Sequence, residues 1–109
     1  MPYYSCMVFI ETTLFSKLLH RYLSDDEYYA LQLHLMEPPD DGDIIVGSGG
    51  IRKTRWAIGN KGKSGGIRVI YYWRGTADEI WMLTLYPKSQ KDSIAGHILK
   101  QIAEEIENV

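Results

Sequence analysis

Seven Lys/Arg residues and no Asp or Glu fall between Ile44 and Ala77: Arg52, Lys53, Arg55, Lys61, Lys63, Arg68 and Arg74. Residues 1–43 hold eight acids against two bases, and residues 78–109 hold six against three, so the net charge of −2 conceals a basic centre. Cations gathered on one stretch of a small domain suit a polyanion, most simply a phosphate backbone. Where that backbone is RNA, the same cations fit the phosphorane of a cleavage transition state, which concentrates negative charge on one phosphorus. The competing expectation is a solvated basic face, with Arg55 and Arg68 paired to acids of the C-terminal segment.

Strand periodicity sorts these charges by face. In an extended segment from Ile51 to about Ile58, Lys53 and Arg55 share one side, and Arg52, Thr54 and Trp56 the other. In 67–73, Ile67, Val69, Tyr71 and Trp73 form the more apolar set, so Arg68 turns outward beside Lys53 or Arg55, with Tyr72 on its side. Lys61 and Lys63 lie on the Gly-rich loop between these strands. Tyr86, Lys88 and Lys91 follow at the end of a third strand, 80–86. Tyr72 and Tyr86 are the aromatic residues expected at the surface. The three tryptophans are expected in the core.

Other chemistries have less support. Cys6 is the sole cysteine and reads as a small hydrophobe in an alternating run. His20, His34 and His97 are scattered over helices, with no ligand spacing for a metal. Gly47-Ser48-Gly49-Gly50 lacks Walker spacing and leads into a strand rather than a helix. Asp25, Asp26 and Glu27 are helix N-terminal acids, and Asp40-Asp41-Gly42-Asp43 is a turn. No cofactor is implied.

The positioning elements follow in order. A strand over 3–10, with Val8 and Ile10 inward, precedes a helix capped at Thr12 or Thr13 with Leu14, Phe15, Leu18, Leu19, Tyr22 and Leu23 at helical period. Ser24 to Glu27 is a capping box opening a second helix that stops at Pro38-Pro39. Three strands follow, and an amphipathic helix from about Ser93 closes the chain. The expectation is a single α+β domain over 1–109: an antiparallel meander with an N-terminal helical hairpin and a C-terminal helix, one sheet face covered and one available for binding. No membrane span or signal-like segment is present, and the cytoplasm is the expected location.

The segments Gly47-Ser48-Gly49-Gly50-Ile51-Arg52-Lys53-Thr54-Arg55-Trp56, Gly62-Lys63-Ser64-Gly65-Gly66-Ile67-Arg68-Val69-Ile70-Tyr71-Tyr72-Trp73 and Leu83-Thr84-Leu85-Tyr86-Pro87-Lys88, with Tyr22 to Tyr28, resemble the RelE/ParE toxin superfamily, and within it the HigB-like branch. The resemblance implies a toxin of a bacterial type II toxin–antitoxin pair with a small α+β fold. For RelE and HigB members it implies translation inhibition and growth arrest by ribosome-dependent endoribonuclease action on mRNA, with the RNA 2′-hydroxyl as nucleophile and no metal. The implied partners are the ribosome, mRNA and an antitoxin, of helix-turn-helix type from the adjacent gene, with operator DNA reached only through the antitoxin complex. By matching position, Lys53, Arg55, Arg68, Tyr86 and Lys88 are the implied catalytic residues, and Lys61, Lys63, Tyr72 and Lys91 the RNA-binding ones. Ser89 stands where RelE carries a catalytic arginine, and Ser64 where close HigB-like sequences often carry Arg or Lys. A gyrase inhibitor of ParE type is the alternative, as is a degenerate toxin kept as an antitoxin-binding co-repressor.

Overall fold

A computed structural model of the chain describes residues 7–58, 66–90 and 94–109. Five strands, β1 (Val8–Glu11), β2 (Asp43–Ile44), β3 (Arg52–Trp56), β4 (Ile67–Arg74) and β5 (Glu79–Pro87), form one sheet in the order β1-β5-β4-β3-β2. The chain from β2 to β5 is the expected antiparallel meander, whereas β1 joins the far edge parallel to β5.

The helical hairpin has the anticipated caps. Thr12 begins α1 (Thr13–Tyr22), its side chain accepting from the Phe15 amide at 3.0 Å. Ser24 and Glu27 close a reciprocal box at the head of α2 (Asp25–Met36), satisfying two amides that the first turn leaves without helical partners. Glu11 holds strand and hairpin together by accepting from Ser16 Oγ at 2.6 Å and Tyr28 Oη at 2.9 Å. Burial first, then the bond to Glu11, pushes the Tyr28 phenol well above its ordinary range, so it stays a donor.

The hairpin covers one sheet face. Phe15, Leu19, Leu31 and Leu35 pack there on Ile67, Val69 and Tyr71, which alternation assigned to the core, and on Ile80, Met82 and Leu85. On the other face, α3 (Gly96–Glu107) sets Leu99, Ala103 and Ile106 on Ile51, Ile70, Leu83 and Tyr86. Three expectations are corrected. Along β1 it is Phe9 that packs on the core while Val8 is 50% exposed. The last helix begins at Gly96, with Ala95 as its cap, rather than near Ser93. The second sheet face is not wholly available: α3 occupies its β4–β5 half, and only the part toward β3 and β2 stays open.

A register shift between Ile70 and Tyr71 against β5 leaves Leu83 as an extra residue, and its carbonyl accepts from Thr12 Oγ1 at 2.8 Å. Because a bulge re-aims the side chains that follow it, Leu83 and Thr84 are both buried. Arg68 and Tyr86 are then brought opposite each other beyond it.

Candidate active site

The open part of the second face is built from strand positions. Arg55 pairs in register with Arg68, Lys53 with Ile70 across β4 and with Asp43 across β2, and Arg68 with Tyr86 across β5. Directly opposed residues of neighbouring strands share a face, so the row from β2 to β5 runs Asp43, Lys53 with Arg55, Arg68, Tyr86. Between them lies a cleft of about 490 Å³ lined by Asp41, Asp43, Lys53, Thr54, Arg55 and Arg68.

Two guanidinium groups facing each other across a ladder repel, and no ion pair within the described structure neutralises either of them. Arg55, Arg68 and Lys53 take part in none of its ion pairs. Arg68 Nη1 is buried with no hydrogen-bond partner. A buried charged donor left unsatisfied is unfavourable, and an oxyanion bound between the two arginines would offset their mutual repulsion. The expectation that acids of the C-terminal segment neutralise these residues does not hold among the described residues. Arg74 takes that role instead, 3.4 Å from Glu79 and 3.6 Å from Glu107, with bonds to the Glu107 and Val109 carbonyls.

The remaining expected site residues divide. Tyr86 lies on the cleft side of β5 but is 8% exposed within the α3 cluster, so it is not the surface residue anticipated. Lys88 is exposed on the turn after β5, its amide bonded to the Gly66 carbonyl at 3.2 Å. Tyr72 departs from expectation: it packs beside α3, and its hydroxyl donates to Glu107 Oε2 at 2.6 Å, away from the cleft lining. Burial and that bond push its phenol up to about 12. Lys61, Lys63 and Lys91 lie outside the described residues.

The acidic side of the cleft went unread in the sequence. Asp41 Oδ2 accepts from Thr54 Oγ1 at 2.8 Å and lies 3.2 Å from His34 Nε2, and the His34 ring is tilted over Trp56 at 5.4 Å. The loop carrying Asp41 is clamped from below. Buried Tyr71 donates its hydroxyl to the Pro39 carbonyl at 2.8 Å and accepts from the Gly42 amide at 2.9 Å, while Arg52 donates to the Asp40 and Gly42 carbonyls. Burial, ahead of the opposing bond from Gly42, raises the Tyr71 phenol above its ordinary value. Tyr71→Phe is expected to lower stability by about 1–3 kcal/mol, since both loop groups lose their buried partner. Chemical denaturation measures the loss.

No protein-family model matches the chain. Among solved structures, the isolated E. coli RelE toxin superposes with a TM-score of 0.58 at 11% identity, covering 93% of this chain and 99% of that one. A chain of the intact E. coli RelBE toxin–antitoxin complex gives 0.56 at 13% identity, covering 79% of this chain and all of that one.

Proposed function

We propose that the chain, which has the fold of RelE, is the toxin of a type II toxin–antitoxin pair, of the HigB-like branch, and that it cuts mRNA on the ribosome. The observation that carries this reading is the opposed Arg55–Arg68 pair, in no ion pair of the described structure, in a cleft shared with Lys53. In this reading the RNA 2′-oxygen attacks the adjacent phosphorus and the 5′-oxygen leaves, giving a 2′,3′-cyclic phosphate. Arg68 and Lys53 hold the charge that builds on the phosphorane, and Arg55 orients the phosphate. Such donors act most strongly when fixed in advance, which strand positions supply. Tyr86 or Lys88, at the β5 end, gives the departing oxygen its proton.

The cognate antitoxin is the expected binding partner, as the RelBE assembly suggests, and it would silence the protein by covering this basic face. No helix among the described residues is long and apolar enough to cross a membrane. Primer extension on mRNA from cells arrested by expression of the chain tests the proposal. Position-specific new 5′ ends are expected within open reading frames, and arrest with intact messages would overturn it.

A further inference from the structure

The proposed reaction needs a group to take the proton of the attacking 2′-hydroxyl, and displacement at phosphorus sets the entering and leaving oxygens roughly in line. Proton acceptor and proton donor therefore belong on opposite flanks of the cation row. Strand order supplies the flanks: Tyr86 lies beyond Arg68 on the β5 side and Asp43 beyond Lys53 on the β2 side, while Asp41, in the loop before β2, lines the same cleft from its bond to Thr54. Carboxylates so close to the cations weaken phosphate binding, so a polyanion site gains from them only if they receive a proton or a hydrogen bond.

Of the two carboxylates, Asp41 has the built surroundings. Its Oδ2 is held by the Thr54 hydroxyl and faced by His34, its loop is pinned by Tyr71 and Arg52, and it lines the same cleft as Arg55 and Arg68. A base oriented by a third group is the general pattern of an activated nucleophile.

Resting on the endonuclease reading, we infer that Asp41 is the general base, with His34 and Thr54 as positioning residues. The 2′-hydroxyl proton passes to the Asp41 carboxylate as the O2′–P bond forms. The P–O5′ bond breaks, and its electron pair takes a proton from the donor on the β5 side. Asp41 then returns its proton to solvent. His34 Nε2 lies 3.2 Å from the carboxylate and Thr54 Oγ1 2.8 Å from it, so the two side chains fix its position.

Single-turnover cleavage by the purified protein on mRNA-programmed ribosomes, followed across pH, tests the assignment. Beyond His34, the charged and titratable groups near Asp41 include Asp40 in its loop, Asp43 on β2, Arg52, Lys53 and Arg55 on β3, and Arg68 and the Tyr71 phenol on β4. The wild-type rate is expected to fall on the acid side as the base is protonated. Asp41→Asn, which keeps an acceptor for Thr54, should lose about 10²-fold or more and show a rate rising steadily with pH as hydroxide replaces the base. His34→Ala should slow cleavage by loosening the carboxylate, and His34→Gln, which keeps a polar group at that position, should restore the rate.

An Asp41→Asn protein that cuts at the wild-type rate overturns the assignment. So does one that is slower with an unchanged pH profile, which marks a structural role. In both cases wild-type cutting leaves the endonuclease reading standing. Failure of the wild type to cut programmed ribosomes removes both.

Discussion

Replacing Arg68 by Ala is expected to reduce mRNA cleavage about 10²–10³-fold, the usual effect of deleting one preorganised donor to a developing oxyanion, and to abolish growth arrest. The fold should not suffer. Arg68 makes no ion pair in the described structure, its Nη1 is buried without a partner, and it faces Arg55 across the ladder. Removing it relieves a like-charge contact and an unmet desolvation cost, so the thermal midpoint should hold or rise while activity falls. That opposition of signs separates a binding residue from a structural one. Calorimetry on the purified variant, beside a growth assay and primer extension, gives both readings. A variant that still arrests growth would remove Arg68 from the mechanism, and one with a markedly lower midpoint would mean that its stem or charge supports the fold.

Gly66→Ala is the second large effect, and it acts through the backbone. A Cβ at residue 66 would run into the Trp56 carbonyl oxygen and approach Trp56 C to 2.9 Å and Ala57 Cα to 3.1 Å. These are backbone atoms of the paired strand, so no side-chain rotation clears them. β3 and β4 must part at Trp56–Ile67, the register pair next to Arg55–Arg68. Overpacking of this kind costs about 1–3 kcal/mol and sometimes more. For a domain of this size that corresponds to a fall in the thermal midpoint of roughly 5–20 °C. Cleavage should fall as well, since displacing a preorganised group by about 1 Å can cost 10²-fold. Thermal denaturation with single-turnover cleavage checks both. A variant with wild-type stability would show that the strands do not approach so closely. The neighbouring Ile67 is fully buried in the hairpin core, so the strand has little freedom to retreat.

These two positions show why one motif carries so much of the site. In Gly66-Ile67-Arg68-Val69, the glycine allows the strands to meet, Ile67 and Val69 anchor β4 in the core, and Arg68 between them has to face the cleft. Alternation along a strand is a local property, so sequence alone sufficed to set Lys53 and Arg55 against Thr54 in β3, and Arg68 against Ile67, Val69 and Tyr71 in β4. Capping is equally local, and Thr12 and the Ser24–Glu27 box appear where their side chains can reach their own first turns. Charge segregation, the helical hairpin and the antiparallel meander were legible for the same reason.

What required the tertiary structure was every feature fixed by contacts distant in the chain. Register made Arg55 the partner of Arg68, and a single extra residue at Leu83 set what faces what across β5. The docking of α3 buried Tyr86 and drew Tyr72 to Glu107, because a half-apolar strand face cannot remain open once an apolar helix is available to cover it. The return of the 38–43 loop over Tyr71 turned an acidic turn into one wall of the cleft and brought His34 to Asp41. Composition and period carry no record of such meetings. They arise when burial of the two cores brings separate segments together, and only then do the charges acquire the neighbours that decide their chemistry.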